Sequence, residues 1–308
     1  MKLLKALVVA TVLLASQAFA AWPTKPITII VPFPPGGATD VIARSYLQAE
    51  LQDALKVPVV ITNIAGSGAG PAANHILSEK NDNNIFLLSD VDFIAGQVNN
   101  ANPLYKKFTP LTVINTTPLI LYGSSKNNNI IQRFKGEILT KSTVNVGYVG
   151  TSYAWVTQVK SPTTFNLIPY KGGAQMSLEV QGGHLEYGVA SAGGIWNSIY
   201  VDKTLQPLMI TSPERSPSFP GVPTADELGF KGPHSYQWFA FWSKSDLDAE
   251  AQRTFTTAVR TIVAKSEKIQ ALSKTGFKNV NYTQAETQKF MDAEIKKYEN
   301  LTISKQNK

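Results

Sequence analysis

Cysteine is absent from this chain of 308 residues, so neither a disulfide nor a thiolate nucleophile enters its chemistry. Stability must then come from apolar burial, for which 43% hydrophobic residues suffice, and at this length two lobes are expected rather than one. Histidine is scarce as well. His75, His184 and His234 stand far apart and form no H-x-x-x-H or H-E-x-x-H pair, which argues against zinc. No phosphate loop of the G-x-x-x-x-G-K-[ST] or G-x-G-x-x-G kind follows a strand in the required place, so no metal or organic cofactor is expected. Beyond residue 20 there is no apolar run long enough to cross a bilayer. The net charge of +7 is spread without a dense basic stripe, which disfavours nucleic acid and leaves a mild field able to draw in anionic solutes. No internal repeat or low-complexity tract interrupts the chain.

What is present begins with an export leader. Lys2 and Lys5 precede a short apolar run, and Ala18-Phe19-Ala20 gives a small-x-small cleavage pattern, so residues 1–20 read as a signal peptide and the destination as the periplasm. A strand at 27–31, a Pro/Gly turn and a helix opening at Thr39-Asp40 follow. A second strand at 57–61, a turn at 66–70, a helix over 71–79 and a third strand at 85–88 complete a βαβαβ rhythm. Such a rhythm predicts an α/β fold with an open parallel sheet and both Gly-rich turns at its carboxyl edge.

The middle of the chain predicts a second unit, with strands at 119–122, 144–149, 167–168, 187–190 and 205–210. Polar or small-residue loops stand at 150–152 and 191–194. An aromatic strand at 236–242 reads as core packing. Two helices close the chain, the second opened by the capping box Thr283-Gln284-Ala285-Glu286. The expected division is lobe 1 over 21–120 plus 238–308 and lobe 2 over 121–237, joined by two crossing strands around a ligand cleft that closes by hinge bending.

Pro32 through Arg44 resembles the P-x-x-P-G-G-x-x-D-x-x-A-R signature of the Bug receptors, the periplasmic substrate-binding proteins of tripartite tricarboxylate transporters. Further matches run in the same order: Asn63 with 65–70, 102–105, 168–173, 182–186, 216–224 and 227–230. The resemblance implies a type II-like periplasmic binding protein fold. It also implies a monomeric receptor, a small organic carboxylate as ligand and a membrane permease as partner. Three features depart from the family pattern at or near the expected cleft: Asp82-Asn83-Asn84-Ile85 replaces P-D-G-Y-T-L before the third strand, Ser89-Asp90 stands where Gly-Thr is usual, and Ala190-Ser191 where an acid and Asn are usual.

Backbone amides at helix starts can hold a carboxylate without arginine. On that chemistry and the motif matches, the candidate contacts from the first lobe are Phe33, Pro34, Pro35, Gly36, Gly37, Ala38 and Asp40. Gly68, Ala69 and Gly70 follow at the second turn, then Ser89 and Asp90 after the third strand. The second lobe offers Thr151, Ser152, Tyr153, Tyr170, Ser191, Ala192 and Gly193. Asp40 and Arg44, one helical turn apart, read more simply as braces of the turn. Asp90 and Asp92 flank a strand end, where turn or helix capping is the simpler role. An acid in the cleft would nonetheless repel a polycarboxylate unless the ligand also carries a cation or a donor. Two other readings compete: a periplasmic hydrolase using 150–153, whose half-formed nucleophile elbow lacks the closing glycine, and a ligand sensor without transport.

Overall fold

A computed structural model describes residues 22–306 apart from 81, 99 and 233; the side chains of 67, 151, 153, 154 and 301–306 are also outside the description. The signal peptide expected over 1–20 lies outside the described residues. Strand β1 (Ile27–Val31) pairs in parallel with β2 (Val59–Asn63) on one side and β3 (Ile85–Asp90) on the other. Between them run helix α1 and helix α2 (Gly70–Ser78). Helix α1 is continuous through Ala38–Val41, a π-helical stretch at Ile42–Leu47 and Gln48–Leu55. Further helices include α3 (Asp92–Ala95), α4 (Ile130–Thr140), α5 (Gly150–Gln158), α6 (Gly173–Gly182), α7 (Ala192–Tyr200), α8 (Ala249–Lys265) and α9 (Gln284–Gln306).

Strand alternation sends each side chain to one of two cores. Ile27, Ile29 and Val31 pack with Leu47 and Leu51 of α1 and with Phe255 and Val259 of α8. Ile30 and Leu87 point the other way, to Ala73 and Ile76 of α2 and Met291 of α9. Each such aliphatic side chain is worth about 1.5–3 kcal/mol when fully buried. Helix α9 opens as its capping box predicts, Glu286 N donating to Thr283 Oγ1 at 3.2 Å and Thr283 N to Glu286 Oε2 at 2.8 Å.

The second half repeats the plan. β5 (Thr143–Tyr148) lies parallel between β6 (Thr164–Pro169) and β7 (Tyr187–Ser191). Leu121, Val146 and Val189 face Phe134 of α4 and Trp155 of α5; Ile120 and Tyr122 face Met176 of α6 and Ile195 of α7. Helices thus cover both faces in both halves, the two-lobed α/β architecture expected of a type II-like binding protein.

The halves are joined through β4 (Phe108–Ser124), which is far longer than the strand expected at 119–122. Up to Pro118 it pairs antiparallel with β9 (Tyr236–Lys244); from Leu119 it pairs with β7 and with β8 (Leu205–Ile210). Pro110 and Pro118 hide its first part from sequence reading, because proline removes a ladder donor. The strand absorbs them with register shifts at 110–112 and 113–115 and by ending its β9 pairing at Pro118. Thr211 fastens the crossing point: its hydroxyl donates to Ser235 O at 2.7 Å and accepts from Leu119 N at 3.0 Å.

Candidate functional site

At the end of β1 the chain turns through 32–37 before α1. Gly36 has φ +83°, a left-handed conformation that favours glycine. Asp40 pins this turn: one carboxylate oxygen accepts Gly36 N at 3.0 Å, the other accepts Arg44 Nε and Asn63 Nδ2, both at 2.9 Å. Asn63 also donates to Phe33 O at 3.0 Å, and Arg44 reaches Ile61 O at 3.3 Å and Asn63 Oδ1 at 2.6 Å. Asp40 and Arg44 therefore act as braces. Burial would raise the Asp40 pKa, but the Gly36 amide, Asn63 and Arg44 outweigh it and hold the carboxyl below its usual range. The resulting stabilisation is complete above the unfolded value near 3.8 and is lost as pH falls through the lower folded value. Asp40→Ala is expected to cost about 2–3 kcal/mol, leaving the Gly36 amide and Asn63 without their acceptor. Urea unfolding of both proteins at pH 7 and at pH 3 checks this, the difference shrinking at the lower pH.

Five strand ends feed helix starts at one place. β1 leads to α1, β3 to α3, β5 to α5, β6 to α6 and β7 to α7. A cleft of about 90 Å³ opens there, walled by Phe33, Pro34 and Gly37–Thr39 from one half and Val149, Gly172–Gln175, Ala190 and Ser191 from the other. The first amides of a helix have no partner within it. Those of Ala38 and Thr39 in α1, and of Gly173, Ala174 and Gln175 in α6, belong to residues on the cleft wall. Neither α1 nor α6 has a side-chain cap that would use them. The halves also touch. A methyl group on Gly172 would lie 3.3 Å from Pro34 Cδ, and one on Gly194 would lie 3.0 Å from Ala38 Cβ. A methyl group on Gly150 would overlap the Asp92 carboxylate.

The charged residues on the described cleft wall are Asp90, Asp92 and Lys171. Asp90, 2% exposed, accepts Asp92 N at 3.0 Å through Oδ1 and Gln237 Nε2 through Oδ2. Burial and then the neighbouring Asp92 charge push its pKa well up, against the opposing pull of the Asp92 amide and Gln237. Burial raises the Asp92 carboxyl to about 7. The polar chemistry of the wall is thus partial positive charge from helix starts facing two acids reluctant to ionise together.

The model of the tripartite tricarboxylate transporter family receptor matches residues 42–307. The chain belongs to that family. It is 27% identical to Protein BugT of Bordetella pertussis over 317 aligned residues, covering 97% of this chain and 96% of the relative. Its fold matches MatC of Rhodopseudomonas palustris, solved with malate, at a TM-score of 0.78 and 21% identity over 91% of this chain and 99% of the other. An R. palustris protein solved with adipate matches at 0.79 and 22% identity over 91% and 97%. The receptor is accordingly a periplasmic-type solute-binding protein, not an enzyme. No helix among its described residues is long and apolar enough to cross a membrane.

The receptor brings Phe33, Pro34, Gly37, Ala38, Asp90 and Ser191 of the expected contacts to the cleft wall. Pro35 and Gly36 sit on the outer, exposed side of the turn, with the Gly36 amide turned inward to Asp40. Asp40 is buried behind the turn, and Ser89 is fully buried in β3. Gly68, Ala69 and Gly70 do not reach the wall; Gly68 packs against Gly96, and its carbonyl accepts Gln97 Nε2. That Gly-rich turn supports α3 instead of forming the cleft.

The supposed polar loop at 150–152 is the first turn of α5, and the supposed loop at 191–194 is the start of α7. Ser152 is fully buried; its hydroxyl accepts Val149 N at 3.1 Å and faces the carbonyls of Val149 and Val189 at 2.9 and 3.1 Å. A hydroxyl committed to backbone in this way is no nucleophile, so the hydrolase reading loses Ser152. The side chains of Thr151 and Tyr153 lie outside the description. Tyr170 lies off the wall, donating its amide to Tyr148 O at 2.9 Å; Ala192 is buried, and Gly193 N donates to Thr117 Oγ1 at 3.1 Å. The wall adds Thr39, Asp92, Val149, Lys171–Gln175, Ala190 and Gln237 to the sequence-based set. Gly172-Gly173 carried a signal, since they close one of the quoted family motifs, but Gln237 was masked by its aromatic neighbours.

Proposed function

We propose that this receptor is exported to the periplasm by its first twenty residues and, as a monomer, binds a small organic carboxylate in the cleft. It then presents the closed form to a membrane permease of the tripartite tricarboxylate type. The observation that carries the reading is the convergence of uncapped helix starts from α1 and α6 on one cleft between halves of a chain of this family. Helix amides suit a carboxylate because they supply donors and partial positive charge without a counter-ion to desolvate. Malate and adipate in the fold's neighbours are ligands of the same chemical class. Two lobes, meeting near residues 120 and 237, would close over the ligand about the β4 and β9 crossings.

A thermal-shift screen over mono-, di- and aminated carboxylates, followed by calorimetry on the best, tests the reading; no stabilisation by any carboxylate contradicts it. Holding by backbone dipoles inside a closed cleft also predicts weak salt dependence. Affinity for the best carboxylate is expected to change less than about threefold between low and physiological ionic strength, because screening acts mainly on exposed, separated charges. A steep fall in calorimetric affinity would point to a site dominated by Lys171 or other exposed cations.

A further inference from the structure

Two acids in a cleft suited to an anion call for an explanation. Asp90 has a structural one: it terminates β3, accepts the Asp92 amide and is held by Gln237. Asp92 does not. Its carboxylate leaves the first half of the molecule and presses against the backbone of Gly150, in the second half, at a point where a side chain would overlap it. Both residues are on the cleft wall and both are nearly out of solvent, at 2% and 8% exposure. Bringing the halves together therefore removes water from an acid pair, which is unfavourable unless a positive partner enters with it. The wall supplies no full positive charge nearby: the start of α5 offers Asp92 only its partial one, and Lys171, the wall's one cation among the described residues, is exposed at the start of α6. The other polar groups facing the pair are neutral or acidic: Gln237 from β9, the Tyr298 phenol from α9 and, beyond it, Glu294.

We propose that Asp90 and Asp92 make this cleft selective for a carboxylate that also carries a protonated nitrogen, the carboxylate lying at the helix starts and the nitrogen at the acid pair. The proposal rests on the reading of the cleft as a carboxylate site and narrows it to zwitterionic ligands. A ligand with carboxylates at both ends would place like charge beside Asp90 and Asp92 and would have to bind with proton uptake. A ligand cation would instead displace the proton that the pair retains near neutrality, Asp92 being raised to about 7 and Asp90 well up. Affinity for the zwitterion should then rise from pH 6 to pH 8, while that for its deaminated analogue should stay level or fall.

The test uses matched pairs: aspartate with succinate, glutamate with glutarate, 2-aminoadipate with adipate, alanine with propionate. Calorimetry on the full mature receptor is expected to show at least one pair whose aminated member binds ten-fold or more tighter at pH 8. The Asp92→Asn variant, nearly isosteric, should lose that preference and its pH dependence. Asp90→Asn with Asp92→Asn should favour the deaminated member, with unfolding temperature reported alongside to show that both variants fold. If wild type favours the deaminated member in every pair that binds, the zwitterion proposal is wrong while the carboxylate reading stands. The proposal is equally overturned if Asp92→Asn keeps both the preference and the pH slope. Binding of no member of any pair would overturn the carboxylate reading and this proposal with it.

Discussion

Gly150→Val is expected to weaken binding of the best carboxylate by about a hundredfold or more without unfolding either half of the receptor. Gly150 is the first residue of α5, and the space where its side chain would stand is filled by the Asp92 carboxylate from the opposite half. Valine there acts as a wedge between the halves. Within its own half the substitution is mild: Gly150 has no left-handed φ, and valine is no worse a helix former than glycine. The cost falls on closure. A penalty of about 3 kcal/mol on the closed form lowers apparent affinity by roughly 150-fold, since ligand must then repay it. Small-angle scattering separates this from direct damage to the site. With saturating ligand, wild type should contract and Gly150→Val should contract less or not at all. Equal contraction and equal affinity would mean that the Gly150–Asp92 contact is not part of the bound form.

How much of this was legible beforehand depends on the range of the interaction. The Asp40–Arg44 brace lies four residues apart on one helix, so ordinary helix-start chemistry sufficed to place it. The apolar runs of β1, β3 and β5 likewise announced themselves, as did the Thr283 capping box. Readings failed where a long-range contact decides the local form. The first part of β4 carries two prolines that argue against a strand, and its pairing with β9 and with Lys278–Asn279 holds it extended.

The site shows the same division. The Gly66–Gly70 segment looks like an anion loop because it is glycine-rich. Its Gly68 is required by something invisible in sequence, the close approach of Gly96. Conversely, Gly172 and Gly173 take part in the wall because β6 happens to deliver α6 to the same edge as α1, with Pro34 packed against Gly172. Gln237 could not be separated from the rings of β9 by pattern alone. It stands in a run that is otherwise core, and its amide is turned to Asp90 by the sheet register that sets Asp90 opposite Phe239.

The remaining large effect concerns the amides themselves. Gly37→Val should reduce carboxylate affinity by about 100- to 10,000-fold. The residue is the N-cap of α1, on the cleft wall, in an extended conformation (φ −75°, ψ 168°) that any residue adopts. An added Cβ would meet only Pro34 O, at an ordinary 3.6 Å, so the turn need not rebuild. Replacing an N-cap glycine by an aliphatic residue costs about 1 kcal/mol, a few degrees in unfolding temperature. The isopropyl group would then stand over the amides of Ala38 and Thr39. Losing two hydrogen bonds to a charged group, at about 1.5–3 kcal/mol each, gives the stated range. Gly37→Ala, with one carbon in the same place, should show a smaller loss and serves as the graded control. Calorimetry decides: near-wild-type affinity in Gly37→Val would move the carboxylate away from the start of α1 and leave α6 as its holder. A loss in Gly37→Val alongside normal ligand-free scattering would separate the amide site from the closure defect expected at Gly150.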